Sequence, residues 1–170
     1  MSKNEITIYS DGACLGNPGP GGYGVVLLWG PKRKELSGGF RLTTNNRMEI
    51  LAVIKALQAI STKKRYNIKI YTDSRLVTNA FNEAWLTKWR QNDWKRNKKD
   101  KVLNVDLWKQ LLNEVEKHDV EFHWVKGHAD IPENERCDEL ARTAAQGTNL
   151  PIDTGYENKN NDNFFNQVNK

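Results

Sequence analysis

Asp11, Glu49, Asp73 and Asp138 are the residues whose type and placement point to chemistry. Asp11 ends an alternating segment with Ile6 and Ile8 on one side and Thr7 and Tyr9 on its own. Asp73 follows a β-branched run, 68–72, and shares a face with Lys69 and Tyr71. If these segments are neighbouring parallel strands, both carboxylates emerge at carboxyl ends, where open α/β sheets place their sites. Glu49 falls in the first turn of an otherwise apolar helical segment, between Met48 and Ile50, and Asp138 lies beside Cys137 and Leu140 in a helix after Pro132. Each has an ordinary structural use: turn or N-cap for the aspartates at strand ends, a first-turn acid for Glu49, an i, i+4 partner of Arg142 for Asp138. Converging on one sheet end, however, four carboxylates repel unless a divalent cation compensates them. Oxygen donors favour Mg2+ or Mn2+ over Zn2+. His128, in the glycine-containing loop from Val125 to Asp130, titrates near neutrality and suits proton transfer or product release.

A second constellation lies between Trp85 and Lys101. Lys88, Arg90, Lys95, Arg96, Lys98, Lys99 and Lys101 stand against only Asp93 and Asp100, so this segment carries the whole formal excess of +5. Trp85, Trp89 and Trp94 are interleaved with the cations, a pattern suited to a phosphate backbone with its sugars and bases. The alternative is a solvated helix whose Phe81, Trp85 and Trp89, spaced i, i+4, i+8, pack as an apolar stripe. Carboxylate-bound cations next to a basic aromatic surface imply phosphodiester chemistry with two metals ~3.5–4 Å apart.

The elements that must position these groups are legible from periodicity. The alternating segment 6–11, the apolar run 24–29 and a return strand 35–42 predict an antiparallel meander, with a glycine- and proline-rich turn over 16–22. A helix is predicted from 45 to about 60, capped by Asn45 or Asn46, then the strand 68–72 and a helix starting near Asp73 and Ser74. Trp108, Leu111, Leu112 and Val115 predict a helix with Asn104 as N-cap; Val120 to Val125 alternates as a strand; Cys137, Leu140, Ala141 and Ala144 mark the last helix. The order predicts an α/β fold: a mixed five-stranded sheet, three strands antiparallel and two parallel, with helices on both faces. One domain, 1–147, accounts for most of the 170 residues, and 148–170 reads as a polar, disordered tail in which Leu150–Ile152 or Phe164 and Phe165 offer apolar anchors. The chain has no apolar stretch of membrane-spanning length and no signal-like start, so no membrane partner and a cytoplasmic location are expected. Cys14 and Cys137 read as reduced thiols; a zinc site built from them with His123 or His128 is the weaker alternative, because neither belongs to a CxxC pair.

Five segments in register carry a family resemblance: SDGACLGNPG at 10–19, TNNRME at 44–49, YTDS at 71–74, WVKGH at 124–128 and PENERCDELA at 132–141. Together they resemble the type 1 ribonuclease H family (bacterial ribonuclease HI) over residues 5–146. The resemblance implies a ribonuclease H-like fold, hydrolysis of the RNA strand of an RNA/DNA hybrid to 5′-phosphate and 3′-hydroxyl ends, two Mg2+ ions per site with Mn2+ as a substitute, and a monomer without an obligate protein partner. It matches Asp11, Glu49, Asp73 and Asp138 to metal ligands and His128 to a catalytic-loop histidine. Asn17, Asn45, Asn46 and Asn79 match hybrid contacts, and backbone near Cys14 together with Glu49 matches groups that meet ribose 2′-hydroxyls. Thr44 and Asn104 match a pocket for a DNA-strand phosphate. Trp85, Lys88, Trp89, Lys95, Arg96, Lys98 and Lys99 match a basic protrusion that grips the DNA strand. Many members carry Arg where this chain has Leu42; the neighbouring Arg41 points to the other face of a strand. No separate hybrid-binding domain is expected ahead of the fold. A resolvase- or integrase-like enzyme on the same superfold and an inactive hybrid-binding module are the alternatives; TNNRME and the tryptophan-rich protrusion argue against the first, the complete carboxylate set against the second.

Overall fold

A computed structural model describes residues 4–127 and 129–158 of the chain. Five strands form one sheet in the order β3-β2-β1-β4-β5. β1 (Glu5–Cys14), β2 (Gly19–Trp29) and β3 (Lys32–Thr43) make the antiparallel meander, while β4 (Asn67–Thr72) and β5 (Asp119–Trp124) add in parallel to β1 and to each other. The predicted mixed sheet is therefore observed, with strands longer than their apolar runs because backbone pairing continues into the glycine-rich stretch.

Period-2 burial selects the faces. Ile6, Ile8, Ile68 and Ile70 are buried beneath α1 (Asn45–Gln58), whose own Met48, Ile50, Ile54 and Leu57 fill the centre of the core. α4 (Val105–Val115) packs on the outer side of α1 and buries Trp108 and Leu111. With neighbours on both sides, α1 is apolar nearly all round.

α5 (Pro132–Ala145) covers the opposite face over β1, β2 and β3. Glycines at alternate positions of β2 permit this. A Cβ on Gly24 would lie 2.8 Å from Leu140 Cβ and 2.9 Å from Ala141 N, and one on Gly22 would lie 2.9 Å from Ala145 N, so a side chain at either position would lift α5 off the sheet. Arg136, donating to both Glu35 oxygens at 2.9 and 3.0 Å, ties the outer side of α5 to β3.

Three expectations about local structure require correction. Thr44, not Asn45 or Asn46, caps α1: its Oγ1 accepts from Arg47 N at 3.2 Å. The aromatic stripe Phe81, Trp85, Trp89 is not one helix face, because α2 (Arg75–Asn82) and α3 (Trp85–Gln91) are separated at Ala84, whose φ is 56°. The tail expected to be disordered docks through 158: Arg41 N donates to Pro151 O at 3.0 Å, residues 154–158 form a helical turn, and Asp153 is buried. Phe164 and Phe165 lie outside the described residues.

Candidate active site

The parallel register between β1 and β4 pairs Ser10 with Thr72, so Asp11 and Asp73 occupy the next rung where the two strands end. Glu49 reaches them because Gly12 lets the end of β1 press against the first turn of α1. A Cβ on Gly12 would stand 2.5 Å from both Glu49 N and Met48 C. Ligand oxygens of Asp11, Glu49 and Asp73 consequently lie within 4.8 Å of one another. Asp138 joins them from α5 in a cavity of about 400 Å³, lined also by Cys14, Asn45 and Asn46.

The electrostatics are dominated by burial and by like charges held close together. Asp11 is 5% exposed; its Oδ1 accepts from Gly12 N at 2.9 Å. Burial, then the Asp73 and Asp138 charges, push its carboxyl from the ordinary 3.8 up to about 8, partly offset by hydrogen bonds from Gly12 and Glu49. Glu49 is raised well above its ordinary value by burial and then by Asp11 and Asp73, and its Oε2 is sealed from solvent with no hydrogen-bond partner. Asp138 is held differently: Arg142 Nε donates to its Oδ2 at 3.0 Å, one helical turn away, the structural pairing anticipated for it. It faces the same cavity, but among the described residues only Asp11, Glu49 and Asp73 form the close oxygen cluster.

Asp73 is fixed through its backbone and neighbours. Trp124 Nε1 donates to Asp73 O at 3.0 Å, the Arg75 guanidinium lies 3.8 Å from the Trp124 ring centroid, and Ser74 caps α2 through Val77 N. The loop after β5 also closes on it: a Cβ on Gly127 would stand 2.9 Å from Asp73 Oδ2. His128 lies outside the described residues.

A second cavity, of about 420 Å³, shares Asn46 and Leu76 with the first and runs between Trp85, Trp89, Arg96, Asn104 and Trp108. Trp89 packs its ring 5.8 Å from the buried Trp108 and 5.9 Å from Trp85, so the tryptophans are half-buried walls, each reading of the segment holding in part. Lys88, Arg90, Lys95, Arg96, Lys98, Lys99 and Lys101 are exposed, and Arg96 lines the cavity. Asn17 sits at the other rim, where its Oδ1 accepts from Asn45 N at 3.1 Å; Asn79 is half-buried on α2. Asn104 precedes α4 as expected, yet makes no side-chain cap: at φ 60° its Oδ1 instead accepts from Arg47 Nη1 at 3.2 Å.

Arg47 was missed as a functional candidate. It is 3% exposed and inserts its guanidinium between Asp106 and Asp153, with contacts of 2.7 to 3.0 Å to the two carboxylates. The available signal was an arginine set directly before the apolar run of α1, where a buried cation requires acidic partners.

Carboxylates gathered at the ends of adjacent parallel strands, beside a tryptophan-walled cavity on a basic segment, define a metal-dependent enzyme on a mixed α/β sheet. Known proteins agree. The RNase H family model matches residues 3–146. The chain is 60% identical over 149 residues to a ribonuclease H of Desulforamulus reducens, covering 88% of this chain and 92% of that one. It is 56% identical over 154 residues to a ribonuclease H of Syntrophus aciditrophicus, covering 91% and 88%. The crystal structure of LC9-RNase H1, a type 1 RNase H with the type 2 active-site motif, superposes with a TM-score of 0.78 at 34% identity, covering 88% of this chain and 76% of that one. The chain belongs to the ribonuclease H family. No helix among the described residues is long and apolar enough to cross a membrane.

Proposed function

We propose that this chain is an endoribonuclease that hydrolyses the RNA strand of RNA/DNA hybrids, with Mg2+ as its cofactor, leaving 5′-phosphate and 3′-hydroxyl ends. The observation that carries the reading is the cluster of Asp11, Glu49 and Asp73 oxygens within 4.8 Å. The cluster fits a hard divalent cation on its chemistry: every donor is oxygen, two carboxyls are driven toward the neutral form by burial and then by neighbouring carboxylates, and Glu49 Oε2 has no partner. Asp11, Glu49, Asp73 and Asp138 are the residues that would hold it. Two bound Mg2+ ions, with Mn2+ as a substitute, supply activation of the attacking water and charge stabilisation at the leaving oxygen.

The chain's own residues do the rest. Asp11 and Asp73 are oriented by strand ends, Glu49 by Gly12, and Asp138 by its bond to Arg142. His128, the residue after Gly127 in the sequence, is assigned proton transfer or product release. Asn17, Asn45, Asn46 and Asn79 contact the hybrid near the cut, and backbone at Cys14 with the Glu49 carboxyl meets ribose 2′-hydroxyls, the feature that separates RNA from DNA. Thr44 and Asn104 take a DNA-strand phosphate. Leu42 leaves that pocket without the arginine many members have, and Arg41 does not replace it, since its guanidinium is bound to Glu157 at 2.9 and 3.0 Å. Trp85 and Trp89 with Lys88, Lys95, Arg96, Lys98 and Lys99 grip the DNA strand along the second cavity. The enzyme is assigned to the cytoplasm as a monomer, which agrees with its free Cys14 and Cys137.

The test presents one sequence as RNA/DNA, RNA/RNA, DNA/DNA, a branched DNA and single-stranded RNA, with Mg2+ and with EDTA. Metal-dependent cutting of the hybrid's RNA strand alone, abolished in Asp11→Asn, is expected. An intact hybrid with cleavage of a branched DNA, or binding without any cleavage, would overturn the assignment.

A further inference from the structure

The segment after α5 ends in a contact that no reading of the catalytic fold requires. Asp153, 8% exposed, accepts from Thr43 Oγ1 at 2.7 Å and from Arg47 Nε and Nη2 at 2.8 and 3.0 Å. Arg47 Nη1 and Nη2 also donate to Asp106 at 2.9 and 2.7 Å, and Nη1 to Asn104 Oδ1 at 3.2 Å. All five guanidinium N–H groups are thereby used, the condition under which a buried arginine is held in one geometry.

The same residue acts on Thr44 through its backbone, Arg47 N donating to Thr44 Oγ1 at 3.2 Å. In both Thr44 and Asn104 it is the acceptor oxygen that Arg47 occupies. What remains is the hydroxyl proton of Thr44 and the amide protons of Asn104. Phosphate oxygens accept only, so these are the groups a phosphate can use. Asn104 is held in the left-handed region, at φ 60°, which asparagine tolerates, without a capping bond of its own, so its side chain is free to pair with Arg47.

We infer that the segment 151–157 is a working part of the DNA-strand phosphate pocket, with Asp153 as a positioning residue that locks Arg47 and, through it, the donor orientation of Asn104 and Thr44. This rests on the proposed role of Thr44 and Asn104. The segment is fastened at both ends, by Arg41 N to Pro151 O and by the Arg41–Glu157 pair, and it lies flush on the network, since a Cβ on Gly155 would collide with Asp106 and Arg47.

Asp153→Asn tests the inference by the sign of its effect. Arg47, Asp106 and Asp153 together bear one net negative charge, which the substitution removes. By charge alone a polyanion would then bind more tightly. The positioning role requires the opposite: KM and the Kd for a labelled RNA/DNA 12-mer rise about tenfold, kcat stays within twofold, and the dependence of log Kd on log salt keeps its slope, because the donors concerned are neutral. Ile60→Val, a core change away from the pocket, serves as the control for reduced stability with affinity intact. An unchanged or tighter Kd, or a fall in kcat at constant KM, would overturn the inference. If Asp153→Asn does not fold, Gly155→Ala, whose Cβ meets Asp106 Oδ2 and Arg47 Nη2, disturbs the same network with the net charge unchanged and must weaken binding likewise. A wild type that binds the hybrid without cutting it refutes the catalytic reading and leaves the variant-to-wild-type Kd ratio to decide this one; a wild type that does neither overturns both.

Discussion

Replacing Asp11 by Asn should make the metal-free protein more stable. The folded carboxyl ionises only near 8, against an ordinary 3.8, chiefly because it is buried and then because Asp73 and Asp138 oppose its charge. A raised carboxyl value means that the folded state binds the proton more tightly than the unfolded chain, so folding weakens as pH climbs from about 4 to 8. The resulting penalty is about 1 kcal/mol at pH 4.5 and about 4 kcal/mol at pH 7. Asn keeps the size of Asp and the oxygen that accepts from Gly12 N, but its amide must be desolvated, which takes back ~1–2 kcal/mol. The net expectation at pH 7.5 is a gain of ~2 kcal/mol, or ~4–8 °C in Tm for a chain of this size. Thermal melts in EDTA across pH 4.5–8 measure it, with the difference closing toward the acid end. Saturating Mg2+ should then raise the wild type, by ~2.7 kcal/mol at a hundred times Kd, and leave Asp11→Asn nearly unmoved. A variant that melts at or below the wild type in EDTA at pH 7.5, with no narrowing in acid, would refute the reasoning. Asp138 belongs to the same carboxylate set, but its bond to Arg142 makes the Asp11 change the cleaner one.

Neutralising Lys95, Arg96, Lys98 and Lys99 together should raise KM and flatten its salt dependence, by up to ~0.9 in slope for each phosphate that is no longer neutralised, with kcat nearly intact; an unchanged slope would place the DNA-strand surface elsewhere. Gly24→Ala should lower stability by ~1–3 kcal/mol and activity with it, since the added Cβ meets α5 at Leu140 and Ala141 and displaces Asp138; denaturant melts with parallel turnover assays check both. His118, 3% exposed, accepts from Tyr66 N at 3.2 Å on Nδ1, and burial followed by the Arg65 charge lowers its pKa. Its unfolded form takes up protons first, so stability should fall as pH drops through about 6.5 and below, and His118→Asn should flatten that limb of the melting profile. A limb that persists in the variant would assign it to other groups.

What the sequence made legible follows the range of the interactions concerned. Strand alternation and helical spacing are local, and they placed all five strands and the four longer helices well enough to bring Asp11 and Asp73 to adjacent strand ends. Two local details depended on backbone conformation instead. Ala84 turns the chain at φ 56°, a conformation rare for alanine that spacing cannot reveal, and so breaks the stripe from Phe81 to Trp89 into two helices. Thr44 caps α1 in competition with Asn45 and Asn46, all of them capping residues, and only the entry angle from β3 decides among them.

The docked segment was hidden for a different reason. Its composition is that of a polar tail, and its fixed position depends on pairing across the chain: Asp153 with Arg47, 106 residues away, and Glu157 with Arg41, 116 residues away. Neither Arg47 nor Asp153 has reason to be buried alone, since each is a charge that only the other, with Asp106, makes tolerable. The carboxylate cluster is the opposite case. Asp11 is buried and Glu49 half-buried against like charge, and the fold lacks a counter-cation for them among the described residues while supplying Arg47 with two acidic partners. One buried charge network is closed and serves position; the other is left open at Glu49 Oε2 and calls for a cation from outside. That asymmetry is why removing an acid should stabilise the first strand end and destabilise the C-terminal segment, two effects of opposite sign from the same substitution of carboxylate by amide at Asp11 and at Asp153.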